Sequence, residues 1–305
     1  MKVLVLGGNG FIGSHLVDKL IKEGHFVRVF DKNEEHYRRS LANVDYHLGE
    51  FGNRGLLSEA LNGIDVVVHL ISTTLPKTSN DDPVFDVQSN LIESLFLLEQ
   101  CVANKIKKII FASSGGTIYG IPESVPVIEE NPTNPICSYG ICKLTIEKYL
   151  SLFKQLHKLD FVIIRPSNPY GGRQNPFGIQ GVIPIFLGKI IRNEPIQIWG
   201  NGDIIRDYIF VKDLVNAFYN AIIYKTTSQI FNIGSGEGHS LNDLLSIMKN
   251  VTGRDLSVTY TNSRIYDVPK IYLDITRATN ELKWEPLTSL EQGIKHTWDF
   301  VSNLS

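Results

Sequence analysis

Met1-Lys2-Val3-Leu4-Val5-Leu6-Gly7-Gly8-Asn9-Gly10-Phe11-Ile12-Gly13 is the stretch of sequence that decides the fold. Its first half is a short apolar run bounded by glycine, which is typical of a buried strand in a parallel sheet. A helical pattern follows from Ser14 to Gly24, and a second apolar run, 26–30, ends at Asp31. A strand, a glycine turn, a helix and a second strand that ends in an acid together form the unit that binds dinucleotides.

The glycines of the turn, Gly7, Gly10 and Gly13, are spaced Gly-x-x-Gly-x-x-Gly. Glycine permits a tight turn and a close approach of the backbone to a pyrophosphate, while the helix N-terminus offers free N–H groups. Asp31 would accept hydrogen bonds from the adenosine ribose and repel a 2′-phosphate, which favours NAD over NADP. Lys32 and Arg28 lie nearby, and their positive charges leave NADP as a second possible cofactor. The alternative to a nucleotide-binding site is a glycine-rich turn that binds no ligand.

Strand and helix patterns alternate through the first half of the chain. The expected strands are 64–70, 108–113 and 161–164, the last ending before Arg165-Pro166, and the expected helices are 84–104 and 138–157. This alternation predicts an α/β fold with a doubly wound parallel (Rossmann) sheet. We predict an NAD-binding domain over 1–166, a smaller lobe over 167–305 that mainly binds substrate, and segments near 207–235 that return to the sheet.

The composition limits the classes of function. With 305 residues, 43% of them hydrophobic, the chain can bury the cores of one or two domains. A net charge of −2 without a basic block argues against nucleic-acid binding. Cys101, Cys137 and Cys142 fit neither a metal spacing nor a disulfide framework. Since the chain shows neither a signal peptide nor a run of about 18 apolar residues, we expect a cytoplasmic protein without a membrane partner.

Tyr139 and Lys143 lie four residues apart on the same predicted helix and therefore share a face. An ammonium group beside a phenol stabilises the phenolate, so we expect Tyr139 to act as a base near neutral pH. The pair alone is weak evidence, because this spacing occurs by chance in many helices.

Together with further motifs, the pair makes the chain similar to a known family. Ser113-Ser114-Gly115-Gly116-Thr117-Ile118-Tyr119-Gly120, Arg165-Pro166-Ser167-Asn168 and Arg206-Asp207-Tyr208 each match one of its motifs, as does Arg264-x-x-Asp267. The chain resembles the extended short-chain dehydrogenase/reductase family over nearly its whole length. Within that family it resembles the nucleotide-sugar epimerases of the UDP-glucose 4-epimerase type.

The resemblance implies roles for individual residues. Tyr139 would be the base, Lys143 would anchor the nicotinamide ribose, and Asn168, Arg206 and Arg264 would hold the substrate diphosphate, with Asp267 beside them. The implied NAD-binding residues surround the glycine turn and the neighbouring loops: Gly7, Gly10, Phe11, Ile12, Gly13, Asp31, Lys32, Glu50, Phe51, Leu70, Asn90, Ser113, Tyr139 and Lys143.

One position departs from the family pattern. Where these epimerases usually carry a third serine, this chain has Gly115. The hydroxyl that contacts the sugar O4 is then expected from Thr117 or, second, from Ser114. Alternatively, Gly115 and Gly116 widen the pocket for a bulkier sugar. Three aromatic residues of the second lobe could line that pocket or fill its core: Trp199, Phe186 and Phe177.

The implied function is inversion at C4 of a UDP- or dTDP-linked hexose through a transient 4-keto sugar, with NAD as the cofactor. An NAD(P)H-dependent reductase of a nucleotide-linked 4-keto-6-deoxy sugar is the alternative enzyme. A catalytically silent NAD-binding regulator is an alternative of another class. The family also implies a homodimer through the helices at 84–104 and after Ser138, which carry more apolar residues than one buried face needs.

Overall fold

The structure of the chain is a computed structural model that describes residues 1–262 and 268–304. Its strands are β1 Lys2–Leu6, β2 Phe26–Asp31, β3 Val44–Leu48, β4 Val66–His69, β5 Lys108–Ala112, β6 Asp160–Pro166, β7 Asn168–Tyr170, β8 Ile196–Trp199, β9 Ile205–Arg206, β10 Tyr208–Phe210, β11 Ile230–Ile233, β12 His239–Ser240, β13 Val258–Thr261 and β14 Lys270–Ile271. Its helices are α1 Phe11–Lys22, α2 Arg54–Leu61, α3 Pro83–Asp86, α4 Glu93–Ala103, α5 Ser138–His157, α6 Val182–Ile191, α7 Val211–Ile223, α8 Leu241–Thr252, α9 Thr276–Leu282 and α10 Leu290–Ser302. A π-helix, Val87–Ile92, joins α3 to α4.

Within the described residues, seven of these strands form one parallel sheet in the order β11, β6, β5, β4, β1, β2, β3. After β1, the chain adds β2 and β3 on one side of it. It then crosses to the other side of β1, where it adds β4 and the remaining strands. The direction of building therefore changes between β1 and β4. Ligands of doubly wound sheets bind outside the carboxyl ends of the strands at such a point. The predicted fold class is confirmed.

The two faces of the sheet bury separate cores. In β1, Val3 and Val5 face a cluster with α1 and α7, while Leu4 and Leu6 face a cluster with α2, α4 and α5. This division follows from the alternation of side chains along a strand. All four side chains are fully buried, and burial of each such side chain contributes about 1.5–3 kcal/mol.

The second half of the chain has a core of its own. Tyr170 and Tyr208 pack there with side chains of α6, β8, α8 and α10. Between the segments that form this core, the chain returns to the large sheet, where β11 pairs with β6. This strand lies inside the segment predicted to return, whereas the division of the chain into domains after residue 166 stays a prediction.

The structure differs from the expected elements in three places. β3 and α2 were not expected, and the helix expected over 84–104 contains the π-helix. The strand expected to stop at Ile164 continues to Pro166, which pairs with Ile233. A proline is tolerated at this position because it ends the strand, and its carbonyl still accepts a hydrogen bond from the Gly115 N–H at 2.8 Å.

Candidate active site

A cavity of about 580 Å³ lies at the carboxyl edge of the sheet, where the second lobe faces it. Cavities of this size are typical of small-molecule sites. Its lining combines predicted cofactor residues with predicted substrate residues: Gly7, Gly10, Phe11, Ile12, Gly13, Leu70, Ser72, Thr74, Leu75, Ala112, Tyr139, Asn168, Pro169, Tyr170, Gln174, Gln180, Gly181, Val182, Ile183, Trp199, Ile204, Arg206, Tyr208 and Leu241.

The glycine turn presents the N-terminus of α1 to this cavity. Gly10 is the N-cap residue, and no side chain of the described residues caps the helix. The N–H groups of the first turn of a helix have no partner within the helix. A Cβ atom at Gly13 would overlap the Gly7 carbonyl oxygen, so the helix can begin this close to β1 only with glycine there. These free donors in a tight cradle fit the diphosphate of a dinucleotide.

Asp31 ends β2 beside the glycine turn and is 7% exposed. Its carboxylate accepts hydrogen bonds from the Asn9 and Asn33 N–H groups, each at 3.0 Å. Asp31 therefore holds the turn in place, and its contact with a ribose stays a prediction. The neighbouring Lys32 is exposed.

Three further predicted cofactor residues lie outside the cavity lining. Glu50 is exposed, whereas the Phe51 ring is 5% exposed and packs in the core, 5.1 Å from the His69 ring. The Ser113 hydroxyl is buried and donates a hydrogen bond to the Glu147 carboxylate. Their contacts with NAD stay predictions.

Helix α5 carries Tyr139 and Lys143. The Lys143 side chain is buried, and its Nζ donates a hydrogen bond to the Ala112 carbonyl at 2.9 Å. The same Nζ lies 5.5 Å from the centroid of the Tyr139 ring. Burial lowers the pKa of Lys143 to about 8, so part of this side chain is neutral in mildly alkaline solution.

The expectation that Lys143 lowers the pKa of Tyr139 is wrong for the protein without its ligands. Burial raises the pKa of Tyr139, and the nearby carboxylate of Asp86 raises it further. Loss of water disfavours the phenolate, and it dominates here because the ammonium points at a carbonyl rather than at the phenol oxygen. A positive charge from another source would oppose this effect, because it would stabilise the phenolate.

The loop after β4 was missed as part of the site. Ser72, Thr74 and Leu75 line the cavity. Their position after a strand at the turning point of the sheet is a signal that could have found them. Asn90, a predicted cofactor residue, holds this loop, because its Oδ1 accepts a hydrogen bond from the Thr73 N–H at 2.9 Å.

Gly115 does not widen the cavity. A Cβ atom there would lie 2.6 Å from Leu273 Cδ1 and 3.0 Å from the Arg165 carbonyl oxygen. The interpretation of the Gly115-Gly116 pair as pocket-widening therefore does not hold for Gly115, since the loop folds back onto β6 at this position. For Gly116, where a Cβ atom would meet nothing within 4 Å, it stays a prediction. Thr117 Oγ1 is buried and has no hydrogen-bond partner among the described residues, whereas Ser114 is half-buried.

The second lobe supplies the other wall of the cavity. The Asn168 side chain donates to the Asp207 carbonyl at 2.8 Å, and Arg206 Nη1 donates to the Val268 carbonyl at 2.6 Å. Both residues line the cavity together with Trp199. The predicted substrate residues Arg264 and Asp267 lie outside the described residues.

The other two aromatic candidates lie elsewhere. Phe186 is 8% exposed in the core of the second lobe. Phe177 is exposed, and the Arg192 guanidinium lies 3.7 Å from the centroid of its ring. Of the three aromatic candidates, only Trp199 therefore lines the cavity.

Over residues 1–262 and 268–304 the structure has no group of three or more His, Cys, Asp or Glu side chains placed to hold a metal ion. In the same part of the chain, no helix is both long enough and apolar enough to span a membrane. The three cysteines are free thiols.

A model of the NAD dependent epimerase/dehydratase family matches residues 3–234. The chain belongs to this family. The UDP-glucose 4-epimerase of Thermotoga maritima, solved with UDP-glucose, is 37% identical, with a TM-score of 0.95 over 100% of this chain and 99% of that one. The UDP-glucose 4-epimerase of Thermus thermophilus, solved with NAD, is 31% identical, with a TM-score of 0.92 over 100% of both chains.

The chain is also similar to a reductase of a nucleotide-linked sugar. The dTDP-4-dehydro-6-deoxyglucose reductase of Escherichia coli is 34% identical over 302 residues, which are 96% of this chain and 95% of that protein. The predictions of the family, of an epimerase-type enzyme and of NAD as its cofactor are confirmed. The regulator without activity is therefore set aside.

Proposed function

We propose that this enzyme inverts the configuration at C4 of a UDP-linked hexose. The observation that supports this function most is the composition of one cavity. Its lining includes Tyr139, the glycine turn at the start of α1, and the polar pair Asn168 and Arg206. One cavity would therefore bring a base together with a cradle for one diphosphate and a cationic side chain for another.

In the proposed reaction, Tyr139 removes the proton of the sugar 4-hydroxyl group. Bound NAD would accept the hydride from C4 and return it, and its oxidised form would add a positive charge to the site. That charge, together with the Lys143 ammonium, would offset the burial that raises the pKa of Tyr139. We therefore expect Tyr139 to act as a base when NAD is bound.

The second lobe would hold the nucleotide diphosphate through Asn168 and Arg206, with Arg264 as a further predicted contact. A guanidinium suits phosphate oxygens, because its planar donors form paired hydrogen bonds. Binding energy placed in the nucleotide leaves the sugar free to turn between its two faces. Thr117 is proposed as the partner of O4, because its buried Oγ1 has no other partner among the described residues.

The test is incubation of the purified enzyme with UDP-glucose, UDP-galactose, UDP-N-acetylglucosamine, UDP-glucuronic acid and dTDP-glucose, without added cofactor. We expect the C4 epimer of at least one UDP-sugar, detected by NMR, and no net reduction of NAD. The dTDP-sugar decides whether the site also accepts thymine. Stoichiometric consumption of NAD(P)H on a 4-keto sugar, without epimerisation of any substrate, contradicts the proposal.

A reductase of a dTDP-4-keto-6-deoxy sugar is the second candidate, and the Escherichia coli relative supports it. The same Tyr139 and Lys143 would then deliver a proton to the 4-keto oxygen. This reaction needs a reduced cofactor that leaves after each turnover, often NADPH. Asp31 disfavours the 2′-phosphate of NADPH, so we rank the reductase below the epimerase.

We also propose a homodimer, formed through the outer faces of α5 and of the helical run that precedes α4. Exposed apolar side chains occur on both: Val84, Phe85, Val87, Ile92, Ile141, Leu152 and Leu156. A contiguous exposed apolar patch is typical of an interface, and we propose that these side chains form one. Light scattering should give the mass of a dimer for the wild type and of a monomer for Leu156→Glu. The matched control is Leu287→Glu, also at an exposed leucine, which should remain a dimer.

We propose a cytoplasmic location as well, since all three cysteines are free thiols, as is usual in a reducing compartment. Fractionation of cells that express the tagged full chain would test it. Recovery of the protein with membranes or outside the cell would contradict the proposal.

A further inference from the structure

Asp86 is a fully buried carboxylate at the end of α3, where the π-helix begins. It accepts hydrogen bonds from the Thr74 hydroxyl at 2.5 Å and the Ser138 hydroxyl at 2.6 Å. A third comes from the Asn90 side-chain amide at 2.9 Å. The two hydroxyl groups and the amide can all donate, and a carboxylate has enough acceptor positions for the three hydrogen bonds.

The hydroxyl and amide partners of Asp86 belong to three different segments, and the Cys142 thiol of α5 is a further hydrogen-bonding partner. Thr74 is in the loop that lines the cavity, Asn90 is in the π-helix, and Ser138 is the first residue of α5, directly before Tyr139. Asp86 therefore joins the cavity loop to the helix that carries the predicted base.

Further hydrogen bonds fix the same two segments to each other. The Tyr139 N–H donates to Ser79 Oγ at 3.1 Å, and the Ser138 N–H donates to Asn80 Oδ1 at 2.9 Å. The loop after β4 thus caps the N-terminus of α5, where backbone N–H groups otherwise lack partners. π-Helical turns are frequent at functional sites, and here the turn allows Asp86 and Asn90 to face the same loop.

Asp86 also interacts electrostatically with both members of the predicted catalytic pair. From α5 and its N-cap residue, the groups that face it are Cys137, Tyr139, Cys142 and Lys143. From β4, His69 faces Lys143, and burial keeps that imidazole neutral by lowering its pKa to about 3.

Lys143 has two carboxylates in its surroundings, Asp86 and Glu147. Glu147 is already paired with Arg165 at 2.6 Å, and both side chains of that pair are buried. Asp86 has no cationic partner among the ion pairs of the described residues, so its charge is available to balance the buried ammonium. A buried cation without a balancing anion would be costly.

We infer that Asp86 is a positioning residue of the active site, which holds the N-terminus of α5 against the cavity loop and balances the buried ammonium of Lys143. Its kinetic consequences rest on the proposed epimerase function, whereas the structural link between the two segments does not.

Asp86→Asn keeps the size of the side chain and removes its charge. We expect kcat to fall by at least about tenfold, since a misplacement of about 1 Å can cost about a hundredfold. KM for the UDP-sugar should change little, because Asn168 and Arg206 are not contacts of Asp86. Both limbs of the pH profile of kcat should move to lower pH, because the charge of Asp86 raises the pKa of both Tyr139 and Lys143.

Two further variants separate charge from hydrogen bonding. Ser138→Ala removes one hydrogen bond to Asp86 but keeps the charge, so kcat should fall while both limbs stay in place. Asp81→Asn removes an exposed carboxylate from the same loop and should leave kcat and the pH profile unchanged. If the pH profile of the Asp86→Asn enzyme does not shift, Asp86 does not balance the charge of Lys143. If its kcat equals that of the wild type, Asp86 does not position the N-terminus of α5.

Amide hydrogen exchange gives a measurement that does not depend on activity. In Asp86→Asn we expect faster exchange confined to residues 72–80 and 138–142, and no change in Asp81→Asn. Unchanged exchange in those segments, or faster exchange throughout the protein, would contradict the positioning role. If the wild type epimerises none of the UDP-sugars, the proposed function fails, and the exchange result still decides the role of Asp86.

Discussion

Replacing Gly115 by serine restores the residue that related epimerases carry, yet we expect a less stable protein with no gain in turnover. The Gly115 N–H donates to the Pro166 carbonyl at 2.8 Å, so the loop lies directly on the end of β6. A side chain at position 115 would point into this contact and not into the cavity.

The cost follows from the distances around an added Cβ atom. It would lie 2.6 Å from Leu273 Cδ1, 3.0 Å from the Arg165 oxygen and 3.1 Å from the Pro166 oxygen, all closer than ordinary contact. Leu273 can turn away, whereas the two carbonyls belong to a buried strand. Overpacking of this kind costs about 1–3 kcal/mol. At about 2–4 °C per kcal/mol, 2 kcal/mol lowers Tm by about 4–8 °C.

Gly116→Ser is the matched control, because a Cβ atom there meets nothing within 4 Å. Its free energy of unfolding should stay within about 0.5 kcal/mol of the wild type. Thermal unfolding monitored by fluorescence, and urea unfolding of the same samples, measure both variants. The turnover of each with the best UDP-sugar substrate is measured in parallel.

A double-mutant cycle with Leu273→Ala identifies the clash. If Leu273 is part of the obstacle, Gly115→Ser should cost about 1 kcal/mol less in the Leu273→Ala background than in the wild type. A Gly115→Ser enzyme with wild-type stability and higher kcat would refute the reasoning, because the serine would then reach the sugar.

Three other changes have definite expected outcomes. Tyr139→Phe should lower kcat by at least about a hundredfold, while Tyr149→Phe on the same helix should not, and near wild-type turnover of the first would show that another group is the base. Burial lowers the pKa of His69 from 6.5 to about 3, so unfolding takes up a proton in this range and the free energy of unfolding should fall as the pH drops from 6.5 towards 3. His69→Gln should flatten that fall in urea titrations, and an equally steep fall would show that other groups cause it. Asp31→Ala should weaken discrimination against NADP in calorimetric titrations with both cofactors, and an unchanged ratio of affinities would leave Asp31 only as the cap of the glycine turn.

The central strands could be predicted because a parallel strand buried on both faces is apolar throughout, as in β1, β4 and β5. β3 escaped prediction for the opposite reason. It is the edge strand, and its sequence, Val-Asp-Tyr-His-Leu, is mostly half-buried, so no continuous apolar run marks it. The short α2 that follows was missed with it.

The π-helix could not be predicted, because its apolar positions also fit an ordinary α-helix. The effect of the wider turn is visible only in the folded protein, where Asn90 forms a hydrogen bond with the loop after β4. The same limit applies to Gly115. The sequence shows that a serine is absent, but not that the chain folds back onto Pro166.

The chemistry of the site was readable from local motifs, whereas its geometry depends on contacts between distant segments. Asp207 illustrates this, since it lies in a motif expected to bind diphosphate but is buried away from the cavity lining. Its carboxylate accepts hydrogen bonds from the N–H groups of Ser235 and Leu273, and its carbonyl holds the Asn168 side chain. Burial raises the pKa of Asp207, and the hydrogen bonds from Ser235 and Leu273 act in the opposite direction because they stabilise the ionised carboxylate. A motif that marks a predicted binding site can thus contain residues that lie outside the cavity, because holding a cavity-lining side chain in place also demands a specific residue.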